Sequence, residues 1–393
     1  MNYKIKKNYD DIIIVIILTS HFLYLGNFSN LYFYEIYDHY LKTSNNFRDF
    51  FWYPSNALLN KINIFDTYLN EYNFRSYPPG YTPPNYSILH TLIFLPFGFL
   101  QFSVSVIFYL LLNLILLFFI YKKLKYKFQT YNKSIFLLFI LFLFSPALIL
   151  CLKIGQYTIF CLWGFLIYFT NNNNKLFFKF LGLLLATGKY TFAPIVGLYL
   201  LLQRKFKIFF LLITLNITAV LFYSIYFNIS FQAAFVSPII MGWNTQAIGA
   251  GDLLSFLGNH PKFPFNILIV LLLFFFIQLI LYYNSKRSQI LDFITVSILT
   301  SMSLKHLNYD YIFIFPVILL LFEKINFKFK IILSIIIFYY LFLLPWSIIE
   351  PIRYTKYFIF FNFMLNIVLL LITLKSIIVS KHMNKLYKRI NQK

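Results

Sequence analysis

Residues 206–227 read Phe-Lys-Ile-Phe-Phe-Leu-Leu-Ile-Thr-Leu-Asn-Ile-Thr-Ala-Val-Leu-Phe-Tyr-Ser-Ile-Tyr-Phe, with one charge, Lys207, at the edge. About 20 apolar residues, wound at roughly 1.5 Å per residue, cross the hydrocarbon core of a bilayer. Comparable runs recur at 11–26, 103–121, 134–152, 155–169, 176–188, 190–203, 264–283, 290–304, 311–322, 330–349 and 357–379. The composition agrees, being 60% hydrophobic and only 12% charged, with 52 Phe and 32 Tyr, where a soluble domain is about 25% charged. No globular core of this size hides so much apolar surface. The expected fold is an all-α polytopic membrane protein of about 12 transmembrane helices, one integral membrane domain over residues 1–393.

The formal net charge of +22 would suggest a nucleic-acid partner in a soluble protein. Here it reads as loop charge that orients helices, and no nucleic acid is expected. Lys4, Lys6 and Lys7 precede the first run and place the N-terminus in the cytoplasm. A cleaved signal peptide is the rival reading; Asp10 and Asp11 abut the apolar run and no A-x-A site follows, which favours an uncleaved anchor. A further run at 86–100 is broken by Pro96. If it does not cross, the basic loops, beginning with Lys122, Lys123, Lys125 and Lys127, all fall inside; it is read as an interfacial or re-entrant helix, and both termini are cytoplasmic. Two long outer loops follow, 27–102 and 228–263. The first is rich in aromatics and Leu, as expected of one or two amphipathic helices lying in the interface. N-x-S/T matches at Asn27, Asn85 and Asn228 carry little weight in so Asn-rich a chain.

This topology gathers polar groups on the outer side: Gln156 after Gly155; Lys189 in Gly188-Lys189-Tyr190-Thr191; His306 and Asp310; Arg353 and Lys356; Asn244, Gln246 and Asp252; and Arg48, Asp49 and Arg75. Ionisable groups near membrane depth are costly and mark function by default. Their convergence suggests an active site opening at the outer interface. The cations suit an anionic lipid headgroup, whose phosphate oxygens accept charge-assisted hydrogen bonds, and a carboxylate beside them suits general-base work on a hydroxyl. The plainer alternative is that Lys189 snorkels to the interface and that Arg48 pairs with Asp49 in solvent. Cys151 and Cys161 lie in apolar runs and form neither a disulfide scaffold nor a zinc site. With no H-E-x-x-H, Cys cluster or outer D-x-D, the expectation is a metal-independent reaction without a cofactor. No phosphate-cradling glycine loop is present for a nucleotide-sugar donor.

The first loop reads Phe47-Arg48-Asp49-Phe50-Phe51-Trp52-Tyr53, then Ser55-Asn56-Ala57-Leu58-Leu59, Asp66-Thr67-Tyr68, Tyr77-Pro78-Pro79 and Pro83-Pro84. With Gly155-Gln156, the Gly182 to Lys189 segment before Pro194, Trp243-Asn244-Thr245-Gln246 and Ser301 to His306 ahead of Pro316, this ordered series resembles glycosyltransferase family 87 of the GT-C superfamily. Asn63 departs from the family's usual glycine, and Gln246 from its serine. The resemblance implies a GT-C-like fold and an inverting transfer of a mannose-like hexose or a pentose at the extracytoplasmic face. The donor would be a polyprenyl-phosphate sugar and the acceptor a glycolipid or glycan hydroxyl. It implies Asp49 as general base, with His306 orienting it or the acceptor. Lys189 and Arg75, then Arg353 and Lys356, would face the leaving phosphate, and Gln156, Asn244 and Gln246 would bind sugar hydroxyls. Either His306 or Asp310 occupies the second functional place. The bacterial plasma membrane is the expected location, with the endoplasmic reticulum as alternative. A transporter or flippase of a lipid-linked sugar is the competing reading; the lack of a convincing internal repeat counts against one built from repeated halves.

Overall fold

The computed structural model describes residues 3–30, 51–65, 86–127, 132–170, 176–245, 252–254, 265–284, 289–304, 308–317, 327–344 and 355–390. It is 86% helical and holds no strand among the described residues. A chain in lipid has no other neighbour for its backbone N–H and C=O groups than its own helix. The first half comprises α1 (Tyr3–Asn30), α2 (Trp52–Leu59), α3 (Ile88–Ile93), α4 (Leu95–Gly98), α5 (Phe102–Lys127), α6 (Asn132–Leu143), α7 (Pro146–Ile154) and α8 (Thr158–Thr170). The second comprises α9 (Leu176–Ala186), α10 (Ala193–Leu202), α11 (Phe206–Phe227), α12 (Phe231–Thr245), α13 (Phe265–Asn284) and α14 (Gln289–Ser303). A 3-10 segment (Asn308–Ile314), α15 (Phe327–Phe338) and α16 (Lys356–Ile390) close it.

Among the described residues three helices are long and apolar enough to cross a bilayer, at Phe102–Lys127, Phe206–Phe227 and Tyr357–Lys375. The run expected as one crossing at 134–152 divides into α6 and α7, bent by 52°. Ser145 caps α7 by accepting from the Leu148 N–H at 3.4 Å, and Pro146 follows it in the first turn; both are helix-start signals inside the apolar run. Other expected crossings are shorter apolar helices, among them Thr158–Thr170, Leu176–Ala186 and Ala193–Leu202. The run at 86–100 forms α3 and α4, each far shorter than the roughly 30 Å of hydrocarbon.

α5 shows why these helices are membrane helices. Val106, Tyr109, Leu110, Asn113, Leu117, Ile120, Tyr121 and Leu124 are buried at helical spacing, while Phe108, Leu111, Ile115 and Phe119 are exposed on other sides. A helix that is apolar all round, with apolar residues left uncovered, has its exposed side in lipid.

The chain packs as two compact units. One comprises Met1–Trp163, Gly188–Tyr190 and Leu211–Thr245. In it Asp11 of α1 pairs with Lys122 and, at 2.8 Å, with Lys125 of α5; Asp10 reaches Lys125 at 3.6 Å. An N-terminal part of α1 therefore meets the C-terminal end of α5, so the two helices run antiparallel. The short helices α3 and α4 leave carbonyls without intrahelical partners, and α2 supplies donors for them. Ser55 Oγ donates to the Phe94 carbonyl at 3.1 Å, Asn56 Nδ2 to Gly98 at 3.1 Å, and Trp52 Nε1 to Leu100 at 2.8 Å. Below this platform Tyr53, Leu58, Phe65 and Ile88 form one apolar cluster with Val220 and Tyr223 of α11.

The other unit comprises Gly164–Thr187, Thr191–Phe210 and Gln246–Lys393. Gly164 and Gly182 bring α8 and α9 together: a Cβ on Gly182 would lie 2.7 Å from the Gly164 carbonyl oxygen. Glycine is what permits that approach. After Phe338 one π turn, Tyr339–Leu343, widens the helix. Tyr339 Oη then donates to Asn362 Oδ1 at 2.6 Å, and Tyr340 Oη to Asn366 Oδ1 at 3.1 Å. Tyr340 stacks on Tyr311 at 4.2 Å, tying the 3-10 segment to α16.

Candidate functional site

The first unit gathers Gln156 and Lys189 around one tyrosine. α7 ends in a Schellman turn: the Gln156 N–H bonds the Cys151 carbonyl at 2.9 Å and the Gly155 N–H bonds Leu152 at 3.2 Å, with Gly155 at φ 79°. Only glycine adopts that conformation without strain. Gln156 emerges 2% exposed, its backbone carbonyl accepting from Tyr109 Oη at 2.7 Å and its Oε1 from Tyr86 Oη at 3.0 Å.

Tyr86 also forms an isolated antiparallel bridge with Lys189, and the Ser87 N–H donates to the Gly188 carbonyl at 3.3 Å. Ser87 then caps α3, accepting from the His90 N–H at 3.3 Å, which sets the His90 ring directly against Gly188. A Cβ at Gly188 would overlap that ring. Lys189 is 2% exposed. An ammonium so deep is tolerated only beside acceptors or anionic groups.

The floor is aromatic. Phe51 stacks on Phe94 at 4.3 Å and meets Tyr157 edge-on at 5.4 Å and Tyr86 at 5.2 Å. His90 sits edge-on to Tyr157 at 4.1 Å. Burial pushes the His90 imidazole down from its ordinary 6.5 to about 3. This ring is therefore neutral at physiological pH. His90 Nε2 and Tyr157 Oη are buried with no hydrogen-bond partner among the described residues.

In the second unit Asp310 is 5% exposed and lines a small cleft with Phe192, Ser301, Tyr311 and Phe313. Asp252, singled out in the sequence only as a polar residue of the second loop, is fully buried, and both carboxylates act electrostatically on Tyr311. Asn244 falls in the last turn of α12, and Lys356 opens α16. Asp49, Arg75, Gln246, His306 and Arg353 lie outside the described residues. Among the described residues no three His, Cys, Asp or Glu side chains group as metal ligands.

Tyr86, His90 and Tyr157 were not singled out from the sequence. The segment Asn85-Tyr86-Ser87 drew notice only as a weak glycosylation match, and one tyrosine among 32 has no local signal. What sets Tyr86 apart is pairing with residues far away in the chain.

An all-helical chain with bilayer-length apolar helices, carrying a buried cation and amide on a shared aromatic platform, has the build of a membrane-embedded enzyme. The family model of glycosyltransferase family 87 matches residues 85–304, more than half of the 393. The chain belongs to that family, a GT-C-like family of membrane glycosyltransferases, and is a glycosyltransferase. No curated protein and no solved structure matches it.

Proposed function

We propose that the protein transfers a sugar, with inversion, from a polyprenyl-phosphate donor to a glycolipid or glycan hydroxyl at the extracytoplasmic face of a bacterial plasma membrane. The observation that carries this reading is the union of Gln156 and Lys189 through Tyr86, inside the segment that matches the family. The Lys189 ammonium meets the charge that develops on the departing lipid phosphate, and stabilising charge where it develops is the largest lever such a site has.

Asp49 is the general base of this scheme, taking the acceptor proton as its oxygen attacks the anomeric carbon while the bond to phosphate breaks. Phe51, which packs on Tyr86 and Tyr157, lies two positions further along the sequence. Arg75 and Arg353 add cations, Asn244, Gln246 and Asp310 bind sugar hydroxyls, and His306 orients the base or the acceptor. The reaction proceeds without a metal. The antiparallel run of α1 and α5, fixed by the Asp11 pairs, supports the reading in which 86–100 does not cross; twelve crossings and cytoplasmic termini belong to the same proposal. Family membership favours the enzyme over a transporter or flippase.

Purified protein assayed against a panel of polyprenyl-phosphate sugars tests the reading. Transfer by wild type, with binding but no transfer by Asp49→Asn, is expected. Full transfer by Asp49→Asn would remove Asp49 from the mechanism, and failure of wild type with every donor would remove the donor class.

A further inference from the structure

We infer that Lys123 and Lys127, on one face at the end of α5, form a headgroup site for an anionic phospholipid. The transfer reading above uses neither residue, and the inference stands apart from it.

Four lysines end α5, at 122, 123, 125 and 127, and the structure divides them. Lys122 pairs with Asp11 and lies over the Phe118 ring; Lys125 pairs with Asp11 and Asp10 and lies over the Tyr121 ring. Two cations therefore meet two carboxylates, and this half of the cluster joins α1 to α5. Lys123 and Lys127 are half-buried. Among the described residues neither of their ammonium groups has a carboxylate or hydrogen-bond partner. They stand four residues apart, neighbours on the helix surface with Cβ atoms about 5–6 Å from each other, and the charge of Lys127 acts on Lys123. Like charges so placed weaken a helix. The helix dipole favours a cation in the last turn, which accounts for Lys127, but it fades beyond that turn and does not account for Lys123. An anion shared by the two ammonium groups turns the repulsion into attraction.

The helix face decides which anion. One turn before Lys123 is Phe119, exposed and stacked on Trp163 at 5.8 Å; Leu111 and Ile115, at the same spacing, are exposed as well. This is the lipid-facing side of a helix long and apolar enough to cross a bilayer. Side chains on a helix tilt toward its N-terminus, so the Lys123 stem lies over the Phe119 turn. Tyr126, between the two lysines in sequence and the end of the helix, is exposed, as aromatic residues are at headgroup depth. The stripe thus presents apolar surface and then two cations, the order in which a phospholipid presents its acyl chain and its phosphate. A soluble anion would match the cations alone. The phosphodiester accepts charge-assisted hydrogen bonds from both ammonium groups; a choline headgroup brings its own cation and gains less.

Native mass spectrometry of the detergent-purified full chain, with phosphatidylglycerol and phosphatidylcholine of matched acyl chains, tests the inference. Wild type is expected to prefer phosphatidylglycerol. Lys123→Gln and Lys127→Gln are each expected to lower that affinity about fivefold, and together about 25-fold, the scale of one and two lysines at an anionic surface. Phosphatidylcholine binding is expected to stay as it is. Lys122→Gln removes the same charge from the same turn, and phosphatidylglycerol affinity is expected to survive it. Arg at both 123 and 127 is expected to keep the preference.

A loss in Lys122→Gln equal to that in Lys123→Gln would make the preference one of overall charge and overturn the site. Wild-type phosphatidylglycerol affinity in the double Gln variant, or no preference in wild type, overturns it as well. Displacement of bound phosphatidylglycerol by inorganic phosphate at constant ionic strength would make the occupant a free anion and overturn the lipid. If the double variant does not fold, the single variants decide by the same comparison.

Discussion

Gly155-Gln156 and Gly188-Lys189 are both glycine–polar pairs just beyond a helix end, and they need glycine for different reasons. Gly155 is required by its backbone: at φ 79° it turns the chain out of α7 through a Schellman closure and delivers Gln156 beneath Tyr86. Gly188 is required by its neighbour: a Cβ there would overlap the His90 ring. The first is a local demand set within six residues; the second exists only because α3 packs against a segment nearly one hundred positions later. A glycine beside a candidate binding residue therefore says nothing by itself about whether conformation or contact holds that residue in place.

Substitution separates the two. Gly188→Ala should be the more damaging, since the methyl must displace an imidazole buried among rings; about 3 kcal/mol is expected for such overpacking. The thermal midpoint in detergent should drop accordingly, and His90→Ala in the same chain should restore part of it. No recovery in the double variant would mean that Gly188 is not held by contact. Gly155→Ala should cost about 1–2 kcal/mol, the price of a left-handed residue with a Cβ, and Gly155→Asn less, because Asn tolerates that conformation. If Asn proves as costly as Ala, the backbone explanation fails.

A smaller effect follows from His90 through pH. Its folded pKa, about 3, lies below the ordinary 6.5, so the unfolded chain takes up a proton that the folded one refuses as pH falls through 6.5. Stability is whole above that value and declines below it, by on the order of 1 kcal/mol between pH 7 and 5.5. Thermal midpoints across that range should slope downward in wild type. His90→Phe should flatten the slope, and an unchanged slope would assign it to another group.

The helices were legible because a run of apolar residues is a one-dimensional signal; Phe206–Phe227 has the same bounds in sequence and structure. The break at Ser145-Pro146 was written in the sequence too, as a cap followed by a proline, but the apolar residues on either side masked it. The segment expected as a helix at 311–322 begins instead within a 3-10 turn, where Tyr311 is held by stacking on Tyr340 and by Asn366; no local pattern announces such partners. In the site, Gln156 and Lys189 were visible as polar residues in outer turns between apolar runs. Tyr86 was not, because its importance lies in pairings 70 and 103 positions away (86 to 156 and 86 to 189). Asp49 and His306 lie outside the described residues, and their roles rest on the family resemblance.

The most direct test of the account is the transfer rate of Lys189→Met, which keeps an unbranched side chain of nearly the same length and removes its charge. Assayed with a polyprenyl-phosphate sugar that wild type uses, the folded variant is predicted to lose about 100-fold or more in kcat/KM, the scale of removing one group that stabilises developing charge. Transfer at the wild-type rate would contradict the assignment of the leaving phosphate to Lys189.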